Sequence, residues 1–221
     1  MQFTLIYDGP LPAGKNKRAH YAAKIRNELH PQMRDLWDNH VIFRQLARTA
    51  RTIPNPGAGY FTGRETVWSP SVLPEWDEPI PSLRSGPTDF CAPINVRDVG
   101  DFLPIVRNSL YLACAIDILF LRQEKTIGVF EDSAGDLDNR IKCFFDGLTI
   151  PNKEQAQSGE RPCASPLCCL LEDDKLISDF SIKTGRLLGE DKLGKYDVRI
   201  QADVTIRVLR AFHANECLLG G

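Results

Sequence analysis

Residues 197–209 alternate without a fault. Val198, Ile200, Ala202, Val204, Ile206 and Val208 fall on one side, and Arg199, Gln201, Asp203, Thr205 and Arg207 on the other. A period of two is the strand period, so the segment predicts a strand with an inward and an outward face. The chain must therefore build a sheet around it. Tyr111 to Arg122 predicts a second strand, with Ile116, Ile118 and Phe120 on one face and Asp117, Leu119 and Leu121 on the other. Gln2 to Tyr7 predicts a first strand with Phe3, Leu5 and Tyr7 on one side, ended by Pro10, Pro12 and Gly14.

Residues 21 to about 50 read mostly as helix, broken at Pro31, with Met33, Leu36, Trp37, Val41 and Phe43 as its apolar face. Residues 136–148 read as a second helix, and 168–182 as a strand with a charged middle. The expected fold is α/β of the α+β kind: a small mixed sheet packed by helices, in one domain over residues 1–221. Two insertions interrupt it. Residues 51–108 hold nine prolines and are expected to form loops and short edge strands, with Trp68 and Trp76 packing part of them on the body. Residues 149–167 are rich in Pro, Gly, Ser and Gln.

Composition removes several function classes. The first residues lack a basic stretch followed by a long apolar run, so no signal peptide is expected. No apolar run approaches the roughly 20 residues that span a membrane. Seven cysteines, an odd and scattered set, point to reduced thiols in a cytoplasmic protein rather than a disulfide framework. Cys163, Cys168 and Cys169 lack the paired spacing of a zinc site. The net charge of −2 hides an asymmetry: residues 15–51 carry nine Lys/Arg against three Asp/Glu, a local +6 that leaves −8 elsewhere. An acidic body with a basic segment suits an enzyme that holds phosphates and cations in different places. A solvated amphipathic helix explains the segment equally well.

The chemistry concentrates in the run Asp136-Leu137-Asp138-Asn139-Arg140-Ile141-Lys142-Cys143-Phe144-Phe145-Asp146-Gly147-Leu148. On a helix, Asp138, Lys142 and Asp146 share one face, and Leu137, Ile141, Phe144 and Leu148 a neighbouring one. Asp136 and Asp138 would diverge by about 200° on a regular helix. They converge if Asp136 precedes the helix as its N-cap, a position that favours Asp. Two hard carboxylates near one point suit magnesium. A second acidic cluster is Glu172-Asp173-Asp174. If it lies in a strand, only one of Asp173 and Asp174 faces the helix. Each cluster also has an ordinary explanation, as a helix start or a turn.

Together, D-x-D-N-x-x-K-x-x-x-D-x-L and a later D-D-x-x-I resemble the RusA family of Holliday-junction resolvases. The matching residues are Asp136, Asp138, Asn139, Lys142, Asp146 and Leu148, then Asp173, Asp174 and Ile177, then the basic Lys183. The resemblance covers 111–209 and, more weakly, the first strand with Pro12, Asn16 and Arg18. The two insertions exceed the family's short plan. The resemblance implies a bacterial or phage-type homodimer. Its two acidic sites would cut opposed strands of branched DNA with Mg2+, or with Mn2+ as the alternative, and with no organic cofactor and no membrane. It implies metal-binding carboxylates at Asp136, Asp138 and Asp174, with Asp173 beside them, and a catalytic lysine at Lys142.

Within that scheme Lys142 donates to the phosphate or the leaving oxygen, Asp146 orients Lys142, and Asn139 braces a carboxylate. Lys15, Lys17, Arg18, Lys24, Arg26 and Lys183 are the candidates for DNA phosphates. Two other functions use the same residues: a metal-dependent nuclease on other branched DNA or on RNA, and an inactive junction-binding protein.

Overall fold

The structure is a computed structural model. It describes residues 1–11, 18–44, 90–122, 134–156, 161–188, 197–211 and 215–219, with the side chains of 134–136, 153 and 154 outside the described set. Most of the proline-rich insertion, with Trp68 and Trp76, lies outside the described residues, as do Lys15 and Lys17.

The strands are β1 (Gln2–Pro10), β2 (Ile94–Val96), β3 (Gly100–Val106), β4 (Leu112–Arg122), β5 (Leu167–Leu171), β6 (Ile177–Arg186) and β7 (Asp197–Val208). The helices are α1 (Arg18–Asn39), α2 (Ala134–Leu148) and the short α3 (Lys153–Ala156). Four strands form a mixed sheet in the order β1-β7-β4-β6, and three form a second in the order β2-β3-β5. The fold is α+β, as expected. β7 is central because its alternation holds: Val198, Ile200, Ala202, Val204 and Ile206 are all buried. It pairs antiparallel with β1 on one side and β4 on the other, and β4 pairs parallel with β6. No described helix is long and apolar enough to cross a membrane.

Helix α2 covers the inner face of the four-stranded sheet from edge to edge. Phe144 meets Tyr7 of β1 at 6.4 Å between ring centroids, and Phe145 meets Phe180 of β6 at 5.4 Å. Ile141, Phe144 and Leu148 are buried, as their spacing predicts, and the Asp138/Lys142 face is left to solvent. Helix α1 packs beside α2 and against β5.

Four expectations are corrected. Pro31 does not break α1. Its ring removes one amide, and the carbonyl of Asn27 that this amide would have served lies 4.0 Å from the Cys163 thiol. Val41 is exposed, whereas Met33, Trp37 and Phe43 are core. The end of the first insertion holds the expected short edge strand, β2, but also β3, an interior strand that buries Phe102, Leu103, Ile105 and Val106. Pro104 is tolerated there because β2 has already ended, its pairing stopping at Ile94↔Phe102. The fully buried Arg107 fastens this region by donating to the carbonyls of Phe90, Ala92 and Pro104. Finally, 168–182 is two strands, β5 and β6, separated by a 3-10 turn at Asp174–Leu176. None of the seven cysteines is in a disulfide, and four are buried.

Gly147 lies where α2 meets α1. A Cβ there would stand 2.5 Å from Ile25 Cγ2 and 3.3 Å from the carbonyl of Ala22. Gly147→Ala gains about 1 kcal/mol of helix propensity. Overpacking at a fixed interface costs about 1–3 kcal/mol. The variant should therefore unfold at lower urea concentration than the parent. An unchanged or higher midpoint would show that the helices part freely at this point.

Candidate functional site

Helix α2 presents Asp138, Lys142 and Asp146 at i, i+4 and i+8. Lys142 Nζ donates to Asp138 Oδ2 at 2.6 Å, in a pair 52% and 62% exposed. Acid before base at i,i+4 is the favoured order on a helix. Asp146 takes a different cation: Arg18, the first residue of α1, donates its Nε to Asp146 and its Nη2 to the Lys142 carbonyl at 3.3 Å. The expectation that Asp146 orients Lys142 is thus corrected. Asp146 holds Arg18, and Lys142 is held by Asp138.

The acidic turn after β5 sorts its three carboxylates by task. Glu172 accepts the Asn108 amide at 2.8 Å, and its own amide donates to the Val106 carbonyl at 3.0 Å, which ties the turn to the end of β3. Asp173 caps the 3-10 turn, accepting the Lys175 amide at 3.0 Å. Asp174 follows and hydrogen-bonds the Asp173 carboxyl. Strand alternation therefore does not apply here, since both aspartates sit in a turn.

The two carboxyls titrate apart. Burial raises both. At Asp173 the hydrogen bonds from the Lys175 amide and from Asp174, with the Lys175 ammonium, outweigh burial and hold the group below its ordinary value. At Asp174 burial is joined by the Asp173 hydrogen bond and charge and by the charge of Asp146, so its carboxyl lies above the usual range. Asp146 on α2 and Asp174 on the turn, 28 positions apart in the chain, thus act on one another. Asp138 stands two helical turns away, about 12 Å of rise.

Asp136 lies inside the first turn of α2, not ahead of it, because the helix begins at Ala134. The N-cap placement expected for it is corrected, and its side chain is outside the described residues. Asn139 is half-buried on α2. Among the described residues no three His, Cys, Asp or Glu side chains form a ready metal cluster. Magnesium, however, commonly takes one or two protein carboxylates and completes its shell with water and phosphate. The paired hard-oxygen donors Asp173 and Asp174, exposed at the surface, suit such a cation.

The basic candidates divide. Lys24 is exposed, its ammonium 5.6 Å from the Tyr21 ring centroid. Lys183 is exposed too, but its register opposite Leu119 puts it on the sheet face away from α2. Arg18 is engaged with Asp146. Arg26 is not a surface residue: it is 5% exposed and donates to the carbonyls of Thr149 at 2.6 Å and Asp146 at 2.8 Å. It closes the C-terminal end of α2, where unpaired carbonyls attract a cation. The sequence reading missed this role, although a helix end rich in carbonyls was legible at Leu148. Neither a family model, a curated protein nor a solved structure matches the chain.

A carboxyl whose folded pKa is raised binds more protons folded than unfolded. Its effect on stability is therefore unfavourable as pH rises from the ordinary aspartate value through the raised one. Asp174→Asn removes that penalty. The variant should have a higher thermal midpoint than the parent at pH 7, and the gap should close below the ordinary aspartate range. A midpoint lower than the parent's at pH 7 would show that the Asp174 charge is stabilising.

Proposed function

We propose that the chain is a Mg2+-dependent endonuclease of the RusA kind, acting on four-way DNA junctions. One observation carries this reading: the helix bearing D-x-D-N-x-x-K packs against the turn bearing the Asp-Asp pair, so that Asp146 and Asp174 share one electrostatic site. Two short motifs distant in sequence gain meaning when their elements meet.

The resemblance puts the metal carboxylates at Asp136, Asp138 and Asp174. With Asp136 and Asp138 diverging on α2 and Asp138 two turns from Asp146, Asp138 and Asp174 would serve separate cations, and Asp173 would keep the turn in shape. When bound, Mg2+ (or Mn2+) supplies a water of lowered pKa and neutralises charge at the phosphate. Asp174 must lose its proton before it can bind a cation, so cation affinity rises with pH through its raised value. Lys142, steered by Asp138 at 2.6 Å and open to solvent, donates to the phosphate or the leaving oxygen as charge develops there. Arg18, fixed to Asp146 and to the Lys142 carbonyl, holds the start of α1 beside this face. Lys24 is an exposed cation of α1 that a DNA backbone could reach. Cutting opposed strands of one junction calls for two such sites related by two-fold symmetry, hence a homodimer.

Labelled four-way junction, fork, linear duplex and single-stranded RNA, each with Mg2+ and with EDTA, test the reading. Junction should be cut with Mg2+ alone. Lys142→Ala should slow cutting by about a hundredfold or more, the scale for losing one transition-state donor, while junction affinity falls only slightly. Asp138→Asn should abolish cutting and leave affinity equal or higher, because it removes negative charge near DNA. Cutting by Asp138→Asn at the parent rate would refute the site. Cutting of fork or RNA in preference to junction would keep the chemistry and move the substrate.

A further inference from the structure

The four-stranded sheet treats its two edges differently. At β1, the Gln32 side chain closes the edge, accepting the Ile6 amide at 2.9 Å and donating to the Ile6 carbonyl at 2.6 Å. At β6 the edge bears an exposed aromatic ring. Phe180 pairs in register with Ile116, so it belongs to the inner face. On that face Ile116, Ile118 and Phe120 are buried, whereas Phe180 is 53% exposed. An exposed aromatic on an edge strand invites association and is normally avoided.

Its position gives a reason for it. The Phe145 ring braces Phe180 at 5.4 Å between centroids, with the rings inclined at 78°. Phe145 immediately precedes Asp146, and β6 starts directly after the turn that holds Asp174. From Ile177 to Phe180 the strand advances about 10 Å. The ring therefore stands about 10 Å along β6 from the turn that holds Asp174, braced on one side by Phe145 and half exposed on the α2 side of the sheet. An aromatic surface next to a phosphate-cutting site is what an unpaired base stacks upon.

We infer that Phe180, braced by Phe145, stacks on an unpaired nucleobase flanking the phosphate offered to the Asp138/Asp174 region, and so selects which nucleotide of the branched substrate is presented for cutting. This rests on the nuclease reading above. Stacking tolerates any base, so the contact selects an unpaired position rather than a sequence. Phe180 is a positioning residue and takes no part in the bond-breaking step.

Binding measured in EDTA, where no cutting is expected, tests it. The probes are four-way junctions with either a normal or an abasic nucleotide at each position around the branch point. The parent should lose affinity by about fivefold to a hundredfold when one particular base is removed, the range for a base stacked on an aromatic ring. Phe180→Ala should show the same loss on the intact junction and no further loss on the abasic one. Phe180→Trp should restore both the affinity and the sensitivity to the abasic site. A general folding defect would weaken every probe alike and would not be rescued by Trp. The inference is overturned if Phe180→Ala binds like the parent, or if its loss is equal on intact and abasic junctions. In both cases junction binding itself stands. It is also overturned if light scattering shows that Phe180→Ala turns a dimer into monomers, because the ring is then a subunit contact. Should the parent bind neither junction nor fork, the nuclease reading fails and this inference fails with it.

Discussion

The Arg26 guanidinium is the contact on which the site's geometry depends. It reaches from the body of α1 to the C-terminal end of α2 and to α3, and donates to the Asp146 and Thr149 carbonyls and to Gln155 Oε1 at 3.3 Å. Its ring-side neighbour is Phe102 of β3, 6.0 Å away. Burial lowers its pKa to about 10, so it remains charged at neutral pH. A buried cation is costly unless its hydrogen bonds are met. Here they are met by the carbonyl end of α2, where the helix dipole is negative. One side chain thus joins α1 to α2 and to the second sheet. Ile25, its neighbour in the chain, abuts Gly147 at the same crossing.

That crossing decides what the carboxylates can do. With the C-terminal end of α2 held, Asp146 comes against the turn after β5, and the turn itself is tied to β3 through Glu172. Three adjacent acids would repel one another if left unassigned. Two of them are committed to backbone amides, which offsets part of their charge. Asp174 is left with its carboxyl raised, by burial first and then by the Asp173 hydrogen bond and the charges of Asp173 and Asp146. At the other end of the helix face, Asp138 restrains Lys142 in a pair exposed enough to exchange its partner for a phosphate. Exposed pairs of this type contribute little to stability, so the arrangement is inexpensive to open.

Much of this was legible in local pattern. The β7 and β4 faces, the β1 strand and the buried stripe of α2 follow from period-two and 3.6-residue spacing, and each buries most of the side chains it predicts, with Phe3, Leu137 and Val208 half-buried. What was not legible has two causes. Pro31 and Pro104 sit where the packing of other segments replaces a local rule, and Asp173–Asp174 sit where a side-chain cap two residues long competes with the strand. Cys163 lies near the carbonyl left by Pro31, the end of β2 leaves room for Pro104, and the Lys175 amide turns a strand into a cap. Arg26 and Lys24 are alike in sequence, two residues apart in a basic segment. Only the carbonyls at the end of α2 draw one of them inside.

The sequence by itself determined the strands, the helix faces and the set of acidic and basic residues offered to a site, because side-chain periodicity is a property of the local backbone. Tertiary structure alone decided which of those residues meet. Asp146 is paired with Arg18 rather than with Lys142, Asp174 is perturbed by a helix 28 positions upstream, and Phe180 is left uncovered at the edge of β6. The physical reason is range. Hydrogen bonds, charge–charge coupling and ring packing depend on distance in space, and that distance is set by how α1 and α2 cross over the sheet.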